Sequence, residues 1–372
     1  IRRPPRSTRK ESSAASDVYK RQILCFTSPD LSQSGKFYWA LFTYITFTTL
    51  YTVIAIPVGS LIPAMTQDRD ERTSLASFRF LGASSGSIAV AVLTLPLVGL
   101  FSSPQFGFPI VVAILAFFGA IFAFLCFYNT REIYSKPYEK RIGLHQIIRM
   151  IFTNFPLHFV ILALLTTWVA NNTKQLTTIY FVKYNLNLEA YFSPILLGVI
   201  LQIMFGAYLV NLIKHRFEKK TLFMIGTFLY VSTDLIIYFI TGYENFWLFA
   251  FIASFGFIGF GMAGVMAWSM IADTIEYGEW KSGFRAEGLL NAAHVFVFKL
   301  SVGVSAWLAG FILETTNYVA NAPSQSQETL EGLTIMGFIF PAIAGTIAIT
   351  ITYFNKYDSN FYEKIFTELK QR

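Results

Sequence analysis

The chain has 372 residues and a formal charge of +7, but residues 1–22 alone hold seven Lys or Arg against two acids, so the rest is nearly neutral and implies no nucleic-acid partner. Hydrophobic residues make up 54% and charged residues 14%, with a mean hydropathy of +0.50, whereas soluble domains carry roughly a quarter charged residues. Lipid is the solvent such a chain suits. Cys25 and Cys126 exclude a disulfide framework or a cysteine-based metal site, and His145, His158, His215 and His294, lacking ligand spacing, read as packing or interfacial residues.

Residues 12–22, SSAASDVYKRQ, are what the genetic code makes of a common sequencing-library adapter, so residues 1–22 are read as non-native. The protein is then expected to enter near Ile23, in the tail of a span already begun. A bilayer-crossing helix needs about 20 mainly apolar residues. Nine stretches qualify: 37–65, 77–100, 108–128, 155–182, 188–212, 220–241, 246–272, 286–313 and 331–355. Basic residues gather in alternate loops: Arg69, Arg72 and Arg79 after the first span, Arg131 to Arg149 after the third, Lys214 to Lys220 after the fifth, Lys281 and Arg285 after the seventh, and Lys356 to Arg372 in the tail. The loops at 102–107, 241–245 and 314–332 have none, and Lys36 and Lys183 are single exceptions. Basic loops stay in the cytoplasm, which places the C-terminus inside, in a multi-pass protein of the inner membrane. The expected organisation is the remainder of an N-terminal bundle at 23–128, a cytoplasmic inter-bundle loop at 129–154, a six-helix bundle at 155–355 and a cytoplasmic tail at 356–372. Twelve spans with both ends inside would leave the first ones missing here.

Two loops share a device: DRDERTSLASFR at 68–79 and DTIEYGEWKSGFRAEG at 273–288 each set acids about one helical turn apart and follow them with an arginine. Charge clusters repeated at equivalent places are a mark of parallel transporter halves. Glu71, Arg72, Asp273, Glu276 and Arg285 would sit at inner helix ends, where opposite charges from the two halves could meet as a cytoplasmic gate. Partly exposed pairs are worth less than about 1 kcal/mol each, so several together would be needed to bias a two-state element. Ordinary positive-inside topology is the alternative.

At these loops the chain resembles the glycoside-pentoside-hexuronide:cation symporters of the major facilitator superfamily, the melibiose permease group. The residues that carry the likeness are Tyr51-Thr52, Ile56-Pro57, Asp68, Glu71-Arg72, Leu75 and Arg79, then Asp273, Glu276 to Trp280, Gly283, Arg285 and Glu287-Gly288, with Lys299 in the next span. The resemblance implies an all-α polytopic fold of two six-helix bundles around a cavity, and uptake of a sugar or glycoside driven by Na+ or H+, with no cofactor besides that ion. It implies that Lys299 lies close to the cation site and that the cation-binding carboxylates belong to front spans absent here, which would leave this fragment inactive. Tyr51, Thr52 and Arg79 match sugar-contacting positions, with Arg79 a bidentate clamp on vicinal hydroxyls. Ala55 departs from a sugar-binding acid, and Gly59 and Gly264 depart from tryptophans; Trp268, one turn from Gly264, is a candidate replacement.

Ionisable side chains inside spans are functional candidates by default. Lys174, Asp234 and Lys299 are the three. Lys174 either faces the pore or snorkels, and Asp234 reads as structural or snorkelling. Two lysines against one distant aspartate leave a charge imbalance that carboxylates on other helices would have to answer. Helical spacing sets Trp168, Asn171 or Asn172, Gln175 and Thr178 along one stripe that offers hydroxyl-binding groups and a ring face, or polar glue between helices. Gly256, Gly259, Gly261 and Gly264, and separately Gly82 and Gly86, are candidates for close helix contact. The rival readings are a membrane-embedded glycosyltransferase-type enzyme, for which the loops offer no carboxylate cluster or nucleotide motif, and a carrier of the same fold for a lipid or drug.

Overall fold

A computed structural model describes residues 22–371 except 28, 67, 131–132, 134–143, 284–286 and 321. Among the described residues all regular structure is helical. In chain order come α1 (Gln33–Met65), α2 (Arg69–Val98), α3 (Pro104–Asn129), α4 (Leu144–Thr153), α5 (Phe155–Tyr180), α6 (Phe192–Ile213), α7 (Lys219–Ile236), α8 (Phe246–Ser282), α9 (Glu287–Thr315), α10 (Gln327–Thr334), α11 (Phe340–Phe354) and α12 (Ser359–Gln371). π-helical turns extend α5 over Phe181–Asn185, extend α7 over Ile237–Thr241, and join α10 to α11 over Ile335–Ile339. Among the described residues, eight segments are long and apolar enough to cross a membrane, and they coincide with the last eight predicted spans. The first, 37–65, falls on α1, a helix of 33 residues.

The chain divides into two compact units, residues up to Gln67 with 85–136, and residues 68–84 with 137 onwards. In the first unit the Trp39 indole donates to the Thr27 carbonyl at 3.0 Å, and Phe26 stacks on Phe108 at 6.4 Å. Along α1 the hydroxyls of Thr43, Thr46, Thr49 and Thr52 each donate to a carbonyl one turn earlier, which hides these polar groups inside an apolar span. Large side chains such as Phe117, Phe122 and Phe124 are 60% or more exposed, an arrangement that only a lipid surround makes favourable.

The second unit is built on close backbone contact. A β-carbon on Gly206 would run into the carbonyl of Ile258, and one on Gly261 into that of Ile203, so α6 and α8 approach to where only glycine fits. Gly226 of α7 and Gly259 of α8 face each other's carbonyls in the same way. Gly256 lies against Thr233 and Gly264 against Phe80, whereas Gly82 and Gly86 look onto open space, so the close contact expected at that pair is corrected. Pro156 starts α5, whose first turn is capped by the Asn154 carboxamide accepting from the Leu157 amide at 3.2 Å. The same side chain donates to the Thr274 carbonyl at 2.9 Å and so ties α5 to α8.

Most of the described part of both charged segments read as loops is helix. α2 begins at Arg69, and α8 runs on past its apolar section to Ser282, where Gly283 closes it in the left-handed conformation at φ 78°. The expected loop 129–154 contains α4, whose Met150 packs with Leu157 and Ile275.

Candidate functional site

The second unit sets residues 69–84 of α2 antiparallel to α8. The pairings run Arg72 to Glu276, Thr73 to Ser269, Arg79 to Trp268 and Phe80 to Gly264, numbers rising on one helix as they fall on the other. Arg72 and Glu276, at 0% and 2% side-chain exposure, meet at 2.5 Å. Beside them the Thr73 and Ser269 hydroxyls lie 3.1 Å apart, Lys214 donates to the Ser74 hydroxyl at 2.6 Å, and Lys219 grips both Asp273 oxygens at 2.8 and 2.9 Å. Buried charges persist only when paired in this way. Of the five residues expected at a gate, Arg72, Asp273 and Glu276 join one charged layer. Glu71 is exposed, its amide donating to the Asp68 carboxylate at 2.8 Å as part of the start of α2. Arg285 lies outside the described residues.

At 1.5 Å per residue, Trp268 sits about 12 Å along α8 from Glu276. The Arg79 guanidinium lies 4.3 Å from the Trp268 ring centre, and the Trp268 ring meets the His294 imidazole edge to face at 4.0 Å. His294 is 3% exposed, and neither of its ring nitrogens has a hydrogen-bond partner. Trp168 packs edge-on against Phe298 and Phe260 at 5.0 and 6.0 Å, its buried indole nitrogen likewise without a partner. Phe80 fills the space at Gly264, so a tryptophan there would have to displace it. The result is a planar cation, apolar ring faces and unsatisfied buried donors and acceptors within one unit. That is the equipment for a ligand with hydroxyls on a carbon ring.

The stripe on α5 resolves to one of its alternatives. Asn172 lies on the same face as Trp168 and exposed Gln175, and its amide donates to the Ser301 hydroxyl of α9 at 3.0 Å. Asn171, about 100° round the helix from Asn172, is buried, as is Lys174, and Thr178 spends its hydroxyl on the Lys174 carbonyl at 2.7 Å. Thr173 adds a second tie to α9, donating to the Ser305 hydroxyl at 3.1 Å.

The largest correction concerns charge. Lys174 is neither snorkelling nor short of a partner: it forms a buried ion pair with Asp234, which is wholly buried and so does not snorkel either. The expected imbalance of two lysines against a distant aspartate does not hold for Lys174. Lys299 is half-buried on α9, next to Phe298. Tyr51 and Thr52 belong to the first unit, Tyr51 exposed with its ring 6.3 Å from Phe47 and Thr52 bonded to the Thr48 carbonyl at 2.7 Å. Among the described residues no group of three His, Cys, Asp or Glu could hold a metal. Sequence reasoning passed over His294, set down as a packing residue; its one available signal was a lone imidazole between apolar neighbours on a span.

Residues 21–359 match the family described as MFS/sugar transport protein. The chain belongs to this family. Among its relatives, "Uncharacterized symporter YjmB" of Bacillus subtilis (strain 168) is 33% identical over 337 residues, 89% of this chain and 72% of the relative. The isoprimeverose transporter of Lactiplantibacillus pentosus is 28% identical over 355 residues, covering 94% and 74%. In fold, this MFS chain is similar to the crystal structure of the MFS transporter FucP in its outward conformation, with a TM-score of 0.58 at 11% identity, covering 93% of this chain and 83% of the other. A bacterial homologue of the iron transporter ferroportin in its outward-facing state gives a TM-score of 0.62 at 11% identity, covering 92% and 84%. Helices, hydropathy and relatives agree on a multi-pass membrane protein of major facilitator fold.

Proposed function

We propose that the protein is a sugar or glycoside:cation symporter of the inner membrane, working by alternating access with its C-terminal end in the cytoplasm. The observation that carries the substrate class is the Arg79, Trp268 and His294 cluster. A guanidinium offers a planar pair of donors to adjacent hydroxyls. The indole gives the apolar face of a pyranose or furanose ring a surface to lie against. A neutral imidazole has one donor and one acceptor nitrogen, which complements a hydroxyl group. Trp168, Asn172 and Gln175 extend the same chemistry along α5. A relative whose printed name is isoprimeverose transporter supports the glycoside class.

In this reading the charged layer around Arg72, Glu276 and Asp273 is the inner gate, holding the cytoplasmic ends of α2 and α8 together while the outer side is open. Lys299 takes the coupling role that the family likeness gives it, with Na+ or H+ as the driving ion, and Asn172 and Thr173 link its helix to α5. The test is counterflow of radiolabelled glycosides in proteoliposomes. Arg79→Lys and Trp268→Ala are each expected to weaken sugar affinity about tenfold or more, roughly 1.4 kcal/mol, while the protein still folds. Unchanged sugar affinity in both variants would remove the cluster from the binding site.

A further inference from the structure

Lys174 on α5 and Asp234 on α7 form an ion pair that the Arg79–Trp268–His294 cluster does not include. The Asp234 carboxylate accepts from the Lys174 ammonium through Oδ1, while its Oδ2 is buried with no hydrogen-bond partner. The ammonium also lies over three rings, 4.8 Å from the centre of Tyr230, 5.1 Å from Phe257 and 5.5 Å from Phe338. Tyr230 turns its hydroxyl away to the Ala170 carbonyl at 3.5 Å. From the packed elements, the titratable groups facing the pair are thus Lys174 and Tyr230, for α8 contributes Phe257 and the π turn before α11 contributes Phe338.

The box is asymmetric in a way that matters chemically. Ring faces stabilise a desolvated ammonium without any anion. A carboxylate with one bare oxygen in the same surroundings has no such support and is stabilised by taking on a proton. A hard metal cation would want about six oxygen ligands, and rings supply none. π-helical turns are drawn to functional sites, and three of them flank this box, at Phe181–Asn185, Ile237–Thr241 and Ile335–Ile339. The segment bearing Lys174 is bonded through Asn172 and Thr173 to Ser301 and Ser305 on α9, so a shift of the ammonium is felt on the helix of Lys299.

We propose that Asp234 is a proton-binding site: Oδ2 takes a proton from water, and the Lys174 ammonium, released from its counter-charge, is held by the three ring faces. The pair passes from zero net charge to +1 and back, no bond other than O–H forming or breaking. Its purpose in coupling rests on the transport reading above, but the protonation itself does not. Infrared difference spectra of the purified full chain, acidified from about pH 9 to about pH 4, test it. One component of the carboxylic-acid carbonyl stretch, set apart from that of the solvated Asp and Glu side chains that protonate near pH 4, is expected to appear on acidification and to be lost in Asp234→Asn, or in Lys174→Gln/Asp234→Asn should the single variant fail to fold. A band that survives both substitutions, or no titrating acid band in the unaltered chain, overturns the proposal. Sugar counterflow is scored separately, in the protein as its gene encodes it: a titrating band with no counterflow there supports the proton site and counts against the transport reading.

Discussion

Replacing Glu276 by Leu, Arg72 by Met, and both together gives a closed thermodynamic cycle on the proposed inner gate. Arg72 is wholly buried and Glu276 nearly so, and their atoms meet at 2.5 Å. Removing one member of such a pair strands the other charge away from water, at a cost of about 3–5 kcal/mol, whereas replacing both by apolar side chains of similar volume is often close to neutral. The single variants should therefore each lose about 3–5 kcal/mol, and the double variant should lose well under the sum. Denaturant unfolding in detergent reads those energies. Gating is read by the thiol of Ser269→Cys, introduced after replacing Cys25 and Cys126. Ser269 is 1% exposed, and its hydroxyl lies 3.1 Å from that of Thr73 inside the charged layer. Labelling from the cytoplasmic face by an impermeant maleimide should rise at least about tenfold when Glu276 is replaced, since 1.4 kcal/mol is tenfold in a two-state population. Strictly additive losses, with no change in labelling, would refute the claim that this pair closes anything.

Three further outcomes follow from the geometry. Asn154→Ala removes the cap of α5 and its tie to Thr274 together, and should lower stability by about 2 kcal/mol, measured as a drop in Tm in detergent. Gly261→Ala forces α6 and α8 apart, because the added carbon would collide with the Ile203 backbone rather than a side chain that can turn; the loss should be about 1–3 kcal/mol, whereas Gly303→Ala, which faces open space, should change the unfolding midpoint little. Trp280→Phe deletes the indole hydrogen bond to Glu368 at 2.6 Å that fastens α12 to the end of α8, and limited proteolysis should then remove the tail helix faster.

The spans were legible in the sequence because lipid forces long apolar runs. The charged helix ends were less so. Asp273 and Glu276 look like a loop to any hydropathy argument, yet α8 continues through them because Lys219 and Arg72 neutralise both. Those partners stand 54 and 204 positions away, and nothing local announces them. Lys174 and Asp234 were singled out correctly as unusual but were judged one at a time, and only the packing of α5 against α7 turns two isolated costs into one pair. On α5, spacing found the stripe but could not choose between Asn171 and Asn172, neighbours 100° apart on a helix; the fold buries Asn171 and bonds Asn172 to Ser301. His294 escaped because its significance lies in what its nitrogens lack, which no single sequence records.

The most direct measurement is uptake of a radiolabelled glycoside into proteoliposomes containing the protein as its gene encodes it, with an inward Na+ or proton gradient imposed. The account predicts accumulation that collapses when the gradient is dissipated and is lost in Arg79→Ala. Uptake indifferent to both ion gradients, or intact in Arg79→Ala, would contradict it.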